Sequence, residues 1–249
     1  MHYLALATDY DETIADDGVV DKATLAALER LRGGARRVIL ITGRDLTNLQ
    51  RVMPRLDLFD LVVVENGALL YDPANHEVQA LTDAPPPAFV ERLRELGVAP
   101  LWLGRAIVVT LEPNAGKVLS AINDLGLKLH ITFNKTAIMV LPVGVTKASG
   151  LRGALAQLCL SPLNCIGVGD AENDLAFLDV CGLPVAVANA LPAVKERAAF
   201  VTAGARGAGV AELIDQLLAT DLAELDATGE RRRVALVADD DHLAPPEVR

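Results

Sequence analysis

The chain has 249 residues, 23 basic against 33 acidic side chains, a formal charge of −10 and 51% apolar residues. This excludes disorder for most of its length and fits one or two globular domains. The acidic balance argues against non-specific nucleic-acid binding, since the basic residues gather into only one short run, 231–233. No stretch of 18 apolar residues occurs and no basic-then-apolar leader opens the sequence, so neither membrane insertion nor export is expected, and the expected location is cytoplasmic.

Taken in order, apolar runs of strand length alternate with segments of helical spacing, the pattern of a parallel sheet covered by helices. Residues 3–8 read as a first strand ending in Asp9, Asp11 and Glu12. A helix is predicted over 21–32, with Asp21 as N-cap, Leu25, Leu28 and Leu31 on one face and Gly33-Gly34 as its stop. Residues 37–41 form a second buried strand ending at Thr42-Gly43-Arg44, residues 45–52 a helix, and residues 61–64 a third strand ending at Glu65-Asn66-Gly67.

Beyond Tyr71 the texture changes, and the proline run near 84–87 breaks the pattern. Helices near 87–96 and 114–125 and strands near 106–111, 128–133 and 136–141 then make a unit with its own alternation. The expected division is a discontinuous Rossmann-like α/β core over 1–80 and 143–220, a smaller inserted α/β domain over 81–142, and a C-terminal extension over 221–249. The core resumes with a helix over 147–159, a strand over 164–168, the turn Gly169-Asp170 and a helix near 171–179. A strand at 185–187, a helix at 192–198, a short strand at 200–202 and a helix at 208–219 follow. Residues 233–237 read weakly as an edge strand.

In such a sheet ligands bind beyond the carboxyl ends of the strands. Four strand ends here carry polar groups: Asp9 and Asp11, Thr42 and Arg44, Asn66, and Asp170 with Asn173 and Asp174, while the helix beginning at Lys147 adds an amine. Carboxylates crowded on one rim repel unless a cation neutralises them. Magnesium suits an all-oxygen set and bridges carboxylates to phosphate oxygens. A hydroxyl, an ammonium and backbone N–H groups serve the remaining oxygens. In an extended segment, residues two apart project to one side, so Asp9 and Asp11 can both face one phosphoryl group. Asp9 then acts as nucleophile and Asp11 as general acid and base.

With these residues placed, the chain resembles the haloacid dehalogenase (HAD) superfamily of phosphohydrolases. The resemblance rests on Thr8-Asp9-Tyr10-Asp11-Glu12-Thr13, on Ile41-Thr42-Gly43-Arg44, on Lys147 after Val145-Thr146, and on Gly169-Asp170-Ala171-Glu172-Asn173-Asp174. The insertion between the second and third motifs, Asn66-Gly67 and the segment 187–190 are similar to the Cof-type branch, which includes sugar-phosphate and archaeal phosphoglycolate phosphatases. The resemblance implies Asp9 and Asp11 as catalytic pair and Thr42, Gly43, Arg44, Asn66, Lys147 and Asn173 as substrate-binding groups. It also implies Asp9, Asp11 (through its carbonyl), Asp170 and Asp174 around Mg2+. A magnesium-dependent phosphatase acting on a small phosphorylated metabolite is the expected function, with the inserted domain as its cap. A phosphomutase-type transferase and a low-turnover phosphate-ester-binding module are the alternatives.

Glu12 departs from the family pattern, which has glycine there. Glu12 either strains the turn or adopts a tolerated conformation, and its carboxylate adds negative charge near the phosphate site. Asp170 could also cap the helix that follows it, a reading compatible with metal binding. Arg44 could pair with a surface acid as readily as face a substrate, and Asn66-Gly67 could equally be a hairpin turn. Cys159, Cys165 and Cys181 are read as small buried side chains, Trp102 and Phe133 as core of the inserted domain ahead of the alternative that they line a substrate pocket, and the four histidines as background.

Overall fold

The computed structural model describes residues 2–134 and 136–223. The first strand, β1 (Ala5–Asp9), is buried at all five positions. It is followed by α1 (Lys22–Gly33), capped by the Asp21 side chain on the Thr24 N–H, β2 (Arg37–Ile41), and α2 (Leu46–Val52), capped by Asp45. Next come β3 (Leu61–Val64), β4 (Leu69–Asp72) and β5 (Glu77–Ala80). The inserted segment contributes α3 (Pro87–Glu95), β6 (Trp102–Leu103), β7 (Val108–Leu111), α4 (Ala115–Asp124), β8 (Leu129–Asn134) and β9 (Ala137–Pro142). The chain then makes α5 (Lys147–Gln157), β10 (Cys165–Gly169), α6 (Leu175–Leu178), β11 (Leu183–Ala186), α7 (Pro192–Arg197), β12 (Phe200–Val201) and α8 (Arg206–Thr220).

Two sheets result. The larger has eight strands in the order β12-β11-β10-β1-β2-β3-β4-β5, parallel from β12 through β3, with β4 and β5 added antiparallel at one edge. The parallel strands are near-continuous apolar runs because helices cover both faces. Sequence periodicity missed β4, β5 and β6. β4 is a buried four-residue strand paired on both sides, β5 is a mostly exposed edge strand, and β6 spans two residues.

Register explains why the polar strand ends meet. Asp9 pairs across from Ile41, which puts Thr42 one step past the neighbouring strand end, and Thr8 pairs across from Val168, which puts Gly169 and Asp170 on the same rim. The reversal of strand order on either side of β1 opens the crevice there.

The smaller sheet runs β6-β7-β9-β8, all antiparallel. Along β9 the side chains alternate: Ile138 and Val140 join Phe89, Leu93, Val118 and Ile122 beneath α3 and α4, whereas Met139 and Leu141 face the main core with Ala106 and Ile107. Period-two projection thus covers one face of this sheet with its own helices and the other with the larger unit.

Several sequence expectations are corrected here. The helix expected near 171–179 starts as a 3-10 turn at Glu172–Asp174 and becomes α-helical only over Leu175–Leu178. Cys159 is exposed, whereas Cys165 and Cys181 are buried. Trp102 and Phe133 are about half exposed, at 52% and 51%, and so lie outside the small core. The basic run at 231–233 and the edge strand expected at 233–237 lie outside the described residues. Among the described residues no helix is long and apolar enough to cross a membrane.

The turn joining β3 to β4 packs tightly on the start of α5. Gly67 has φ of 107°, and a Cβ built on it would lie 2.0 Å from the Thr146 carbonyl oxygen. Gly67→Ala is therefore expected to lower the unfolding free energy by about 2–4 kcal/mol, through backbone strain and displacement of α5. Urea denaturation measures this, and an unchanged midpoint would contradict the packing described.

Candidate active site

Lys147 occupies the first position of α5, whose start is fixed by a capping box between Thr146 and Ser149. That box aims the chain so that the lysine side chain, 2% exposed, passes under the rim of the large sheet. Its Nζ donates to Asp9 Oδ1 and to Asp174 Oδ1, each at 2.5 Å. Asp174 is wholly buried, and its Oδ2 accepts from the backbone N–H groups of Asp170 at 2.9 Å and Ala171 at 3.0 Å. Of the two compatible readings of Asp170, the cap is not the one seen: Asp174 reaches back to those N–H groups instead. The Asp170 Oδ1 accepts from Thr13 Oγ1 at 3.0 Å.

Carboxylate oxygens of Asp9, Asp170 and Asp174 lie within 4.8 Å of one another. Burial, then Asp174, push the Asp9 carboxyl well above the ordinary range, with Lys147 acting in the opposite sense. Burial alone would push the Lys147 ammonium down, but Asp174 and Asp9 outweigh it and hold lysine above its usual value. Three buried carboxylates against one ammonium leave an excess of two negative charges. This donor set fits a hard divalent cation, which takes oxygen ligands and would cancel that excess. Asp174 already has both oxygens engaged, whereas Asp9 Oδ2 has no hydrogen bond among the described residues.

A cavity of about 480 Å³ opens above these groups, lined by Asp9, Asp11, Gly43, Arg44, Lys147 and Asn173 among others. Thr136, from the turn between β8 and β9, closes it from the inserted unit. Asn173 turns in a buried Nδ2 with no hydrogen-bond acceptor. Thr42 is fully buried just beneath, its hydroxyl accepting from the Arg44 N–H at 3.1 Å. Asn66 stays outside the lining. It belongs to the connection between antiparallel β3 and β4, is 2% exposed and carries a buried Oδ1 without a partner.

Arg44 pairs with Asp11, its Nε at 2.8 Å from Oδ2 and its Nη2 at 2.6 Å from Oδ1, while Nη1 donates to Asn48 Oδ1 at 2.6 Å. The guanidinium also sits 5.3 Å from the Tyr10 ring centre. Burial pushes the Tyr10 phenol up to about 12, so its hydroxyl remains a donor, here to the Gly18 carbonyl at 2.9 Å.

Glu12 has φ of 62°, the left-handed backbone that glycine would adopt without strain. Its carboxylate lines the cavity yet is held by Arg206, with Nε at 2.9 Å and Nη2 at 2.8 Å from Oε2. Asn189 completes the brace, donating from Nδ2 to the Glu12 carbonyl at 2.8 Å and accepting the Arg206 N–H on Oδ1 at 2.7 Å. The negative charge that Glu12 adds is paired with Arg206, which also meets Asp16 at 3.2 Å, so the Glu12–Asp16–Asp17 group keeps an acidic excess. Sequence reasoning missed Arg206 and Asn189 because they lie 194 and 177 residues from Glu12.

Comparison with known proteins places the chain in context. A family model described as haloacid dehalogenase-like hydrolase matches residues 6–112 and 107–214. A phosphoglycolate phosphatase of Methanothermobacter thermautotrophicus is 31% identical over 224 residues, covering 86% of this chain and 98% of that protein. Among solved structures, a haloacid dehalogenase-like hydrolase from Bacteroides thetaiotaomicron aligns with a TM-score of 0.73 at 20% identity, over 86% of this chain and 99% of the other. A sugar phosphatase of HAD subclass IIB aligns at 0.70 and 19% identity, over 86% and 98%. At these identities the two structures speak for the fold.

Removing the ammonium alone leaves the buried carboxylates uncompensated. Lys147→Met is expected to cost about 3–5 kcal/mol of stability, part of which millimolar magnesium restores. Chemical denaturation with and without the ion tests this, and equal loss in both conditions would count against a cation site.

Proposed function

Since the chain belongs to the haloacid dehalogenase-like hydrolase family, we propose that it is a magnesium-dependent phosphatase of small phosphorylated metabolites, working through an aspartyl-phosphate on Asp9. The observation that carries this reading is the Asp9–Lys147–Asp174 cluster at the floor of a small polar cavity.

The bound ion, held by Asp9, Asp170 and the Asp11 carbonyl, would supply charge neutralisation of the phosphoryl oxygens. Lys147 holds Asp9 Oδ1, fixing the carboxylate so that Oδ2 points to substrate. Oδ2 attacks phosphorus in line, and the bond from phosphorus to the ester oxygen breaks. Asp11, protonated from solvent once Arg44 has left it for the ester, gives that proton to the departing oxygen, then takes one from the water that attacks the acyl phosphate. That step breaks the bond between phosphorus and Asp9, releasing inorganic phosphate and regenerating the carboxylate. Arg44 binds Asp11 in the resting site and transfers to the anionic ester as it arrives, which frees Asp11 for proton transfer. The Asn173 Nδ2 and the Lys147 ammonium receive phosphate oxygens.

The cavity suits a compact ester, and the 31% identical relative is named for phosphoglycolate. A two-carbon phosphate monoester bearing a carboxylate is the substrate class this supports, with sugar phosphates as the wider class. The brace on Glu12 removes the main reason to read the chain as a low-turnover binding module.

Asp9→Asn is expected to reduce hydrolysis of phosphoglycolate and of p-nitrophenyl phosphate to background while the melting temperature stays within a few degrees. Chelation should do the same reversibly, with activity returning on addition of magnesium. Phosphate release measured with a coupled colour assay reads both, and retained turnover in Asp9→Asn would remove that residue from its role. Arg206→Ala is expected to cut kcat/KM for an anionic ester about three- to tenfold by unmasking Glu12, and Glu12→Gly in the same chain should restore most of it.

A further inference from the structure

Glu65 has no part in the scheme above, yet it is 1% exposed. Burying a carboxylate is costly unless hydrogen bonds replace its water. Its partners here are the backbone N–H groups of Arg105, at 2.8 Å on Oε1, and Ala106, at 2.7 Å on Oε2. Both belong to the loop between β6 and β7, so one side chain of the large unit satisfies two main-chain donors of the inserted one. The approach is close: a Cβ built on Gly104 would fall 2.6 Å from Glu65 Oε1.

The main chain of the same turn faces the catalytic rim. The Glu65 N–H donates to the Arg44 carbonyl at 2.9 Å and the Asn66 N–H to the Thr42 carbonyl at 3.0 Å, while Gly67 abuts Thr146 at the start of the Lys147 helix. Glu65 and Asn66 adopt φ of 51° and 55°, a conformation that non-glycine residues keep only where surroundings over-determine it.

We infer that Glu65 is a positioning residue for phosphoryl transfer: its carboxylate fastens the cap loop Gly104–Ala106 to the core, and its backbone ties that docking to the phosphate loop at Thr42 and Arg44. This rests on the phosphatase reading. Apolar contacts through Ile107, Met139 and Leu141 already bring the two units together. What the carboxylate adds is direction and reversibility, because on opening both N–H groups and both oxygens regain water at small net cost. Gln at this position keeps one acceptor and sets an N–H donor against an N–H donor.

The test is a pair of variants in the full chain, Glu65→Gln and Gly104→Ala, the second breaking the same contact from the cap side should the first fail to fold. Labels on the exposed native Cys159 and on Leu119→Cys in α4 report the distance between core and cap by energy transfer. Both variants are expected to populate a longer distance and to lower kcat/KM for phosphoglycolate about tenfold. The value for p-nitrophenyl phosphate, whose leaving group departs without help from a closed site, should change less than about threefold. An unchanged distance distribution, or equal losses on both esters, overturns the inference. Asp9→Asn carrying the same labels should keep the parental distance while losing all turnover, so failure of the phosphatase reading shows separately.

Discussion

The molecule is organised around one buried ammonium. Lys147 lies between Asp9 and Asp174, each at 2.5 Å, and all three are nearly or wholly inaccessible. A charge in that position is tolerable only with its partners in place, so the strand carrying Asp9, the helix carrying Lys147 and the turn carrying Asp174 must arrive together. Asp174 extends the same constraint to the backbone of Asp170 and Ala171. The cluster is thus both a folding restraint on three elements and the charge balance that makes a cation fit.

Asp9 and Lys147 of that cluster line the cavity, and Thr136 brings the inserted unit into the same lining. Alternation along β9 sends Ile138 and Val140 into the small core and Met139 and Leu141 onto the large one, so the cap sheet is a two-sided object with the catalytic unit as one of its faces. The turn Glu65–Gly67 then touches the loop at Thr42 and Arg44, the start of the Lys147 helix and the loop between β6 and β7 at once.

Glu12 shows how a departure at a turn is accommodated at a distance. The left-handed backbone persists with a larger residue, and the side chain that comes with it is bound by Arg206, itself at φ of 52° and braced by Asn189. Backbone strain at two residues is offset by a local network of charge-assisted bonds.

Much of the fold could be read in advance because the parallel strands are buried on both faces and appear as plain apolar runs, such as residues 37–41 and 61–64, each followed by its polar strand end. The cap at Asp21 was equally plain, being a local hydrogen bond over three residues. The edge strand β5 was not, since a mostly exposed strand lacks that signal. Residue types alone could nominate Asp9, Lys147 and Asp170 for one rim, because strand ends in a parallel sheet share a side. Which oxygen meets which nitrogen was beyond the sequence: that Arg44 takes Asp11, that Arg206 takes Glu12, that Asp174 rather than Asp170 caps the turn, and that Glu65 reaches the cap. Such pairings join residues between 3 and 194 positions apart and are settled by register and helix packing, quantities that depend on the whole chain closing on itself.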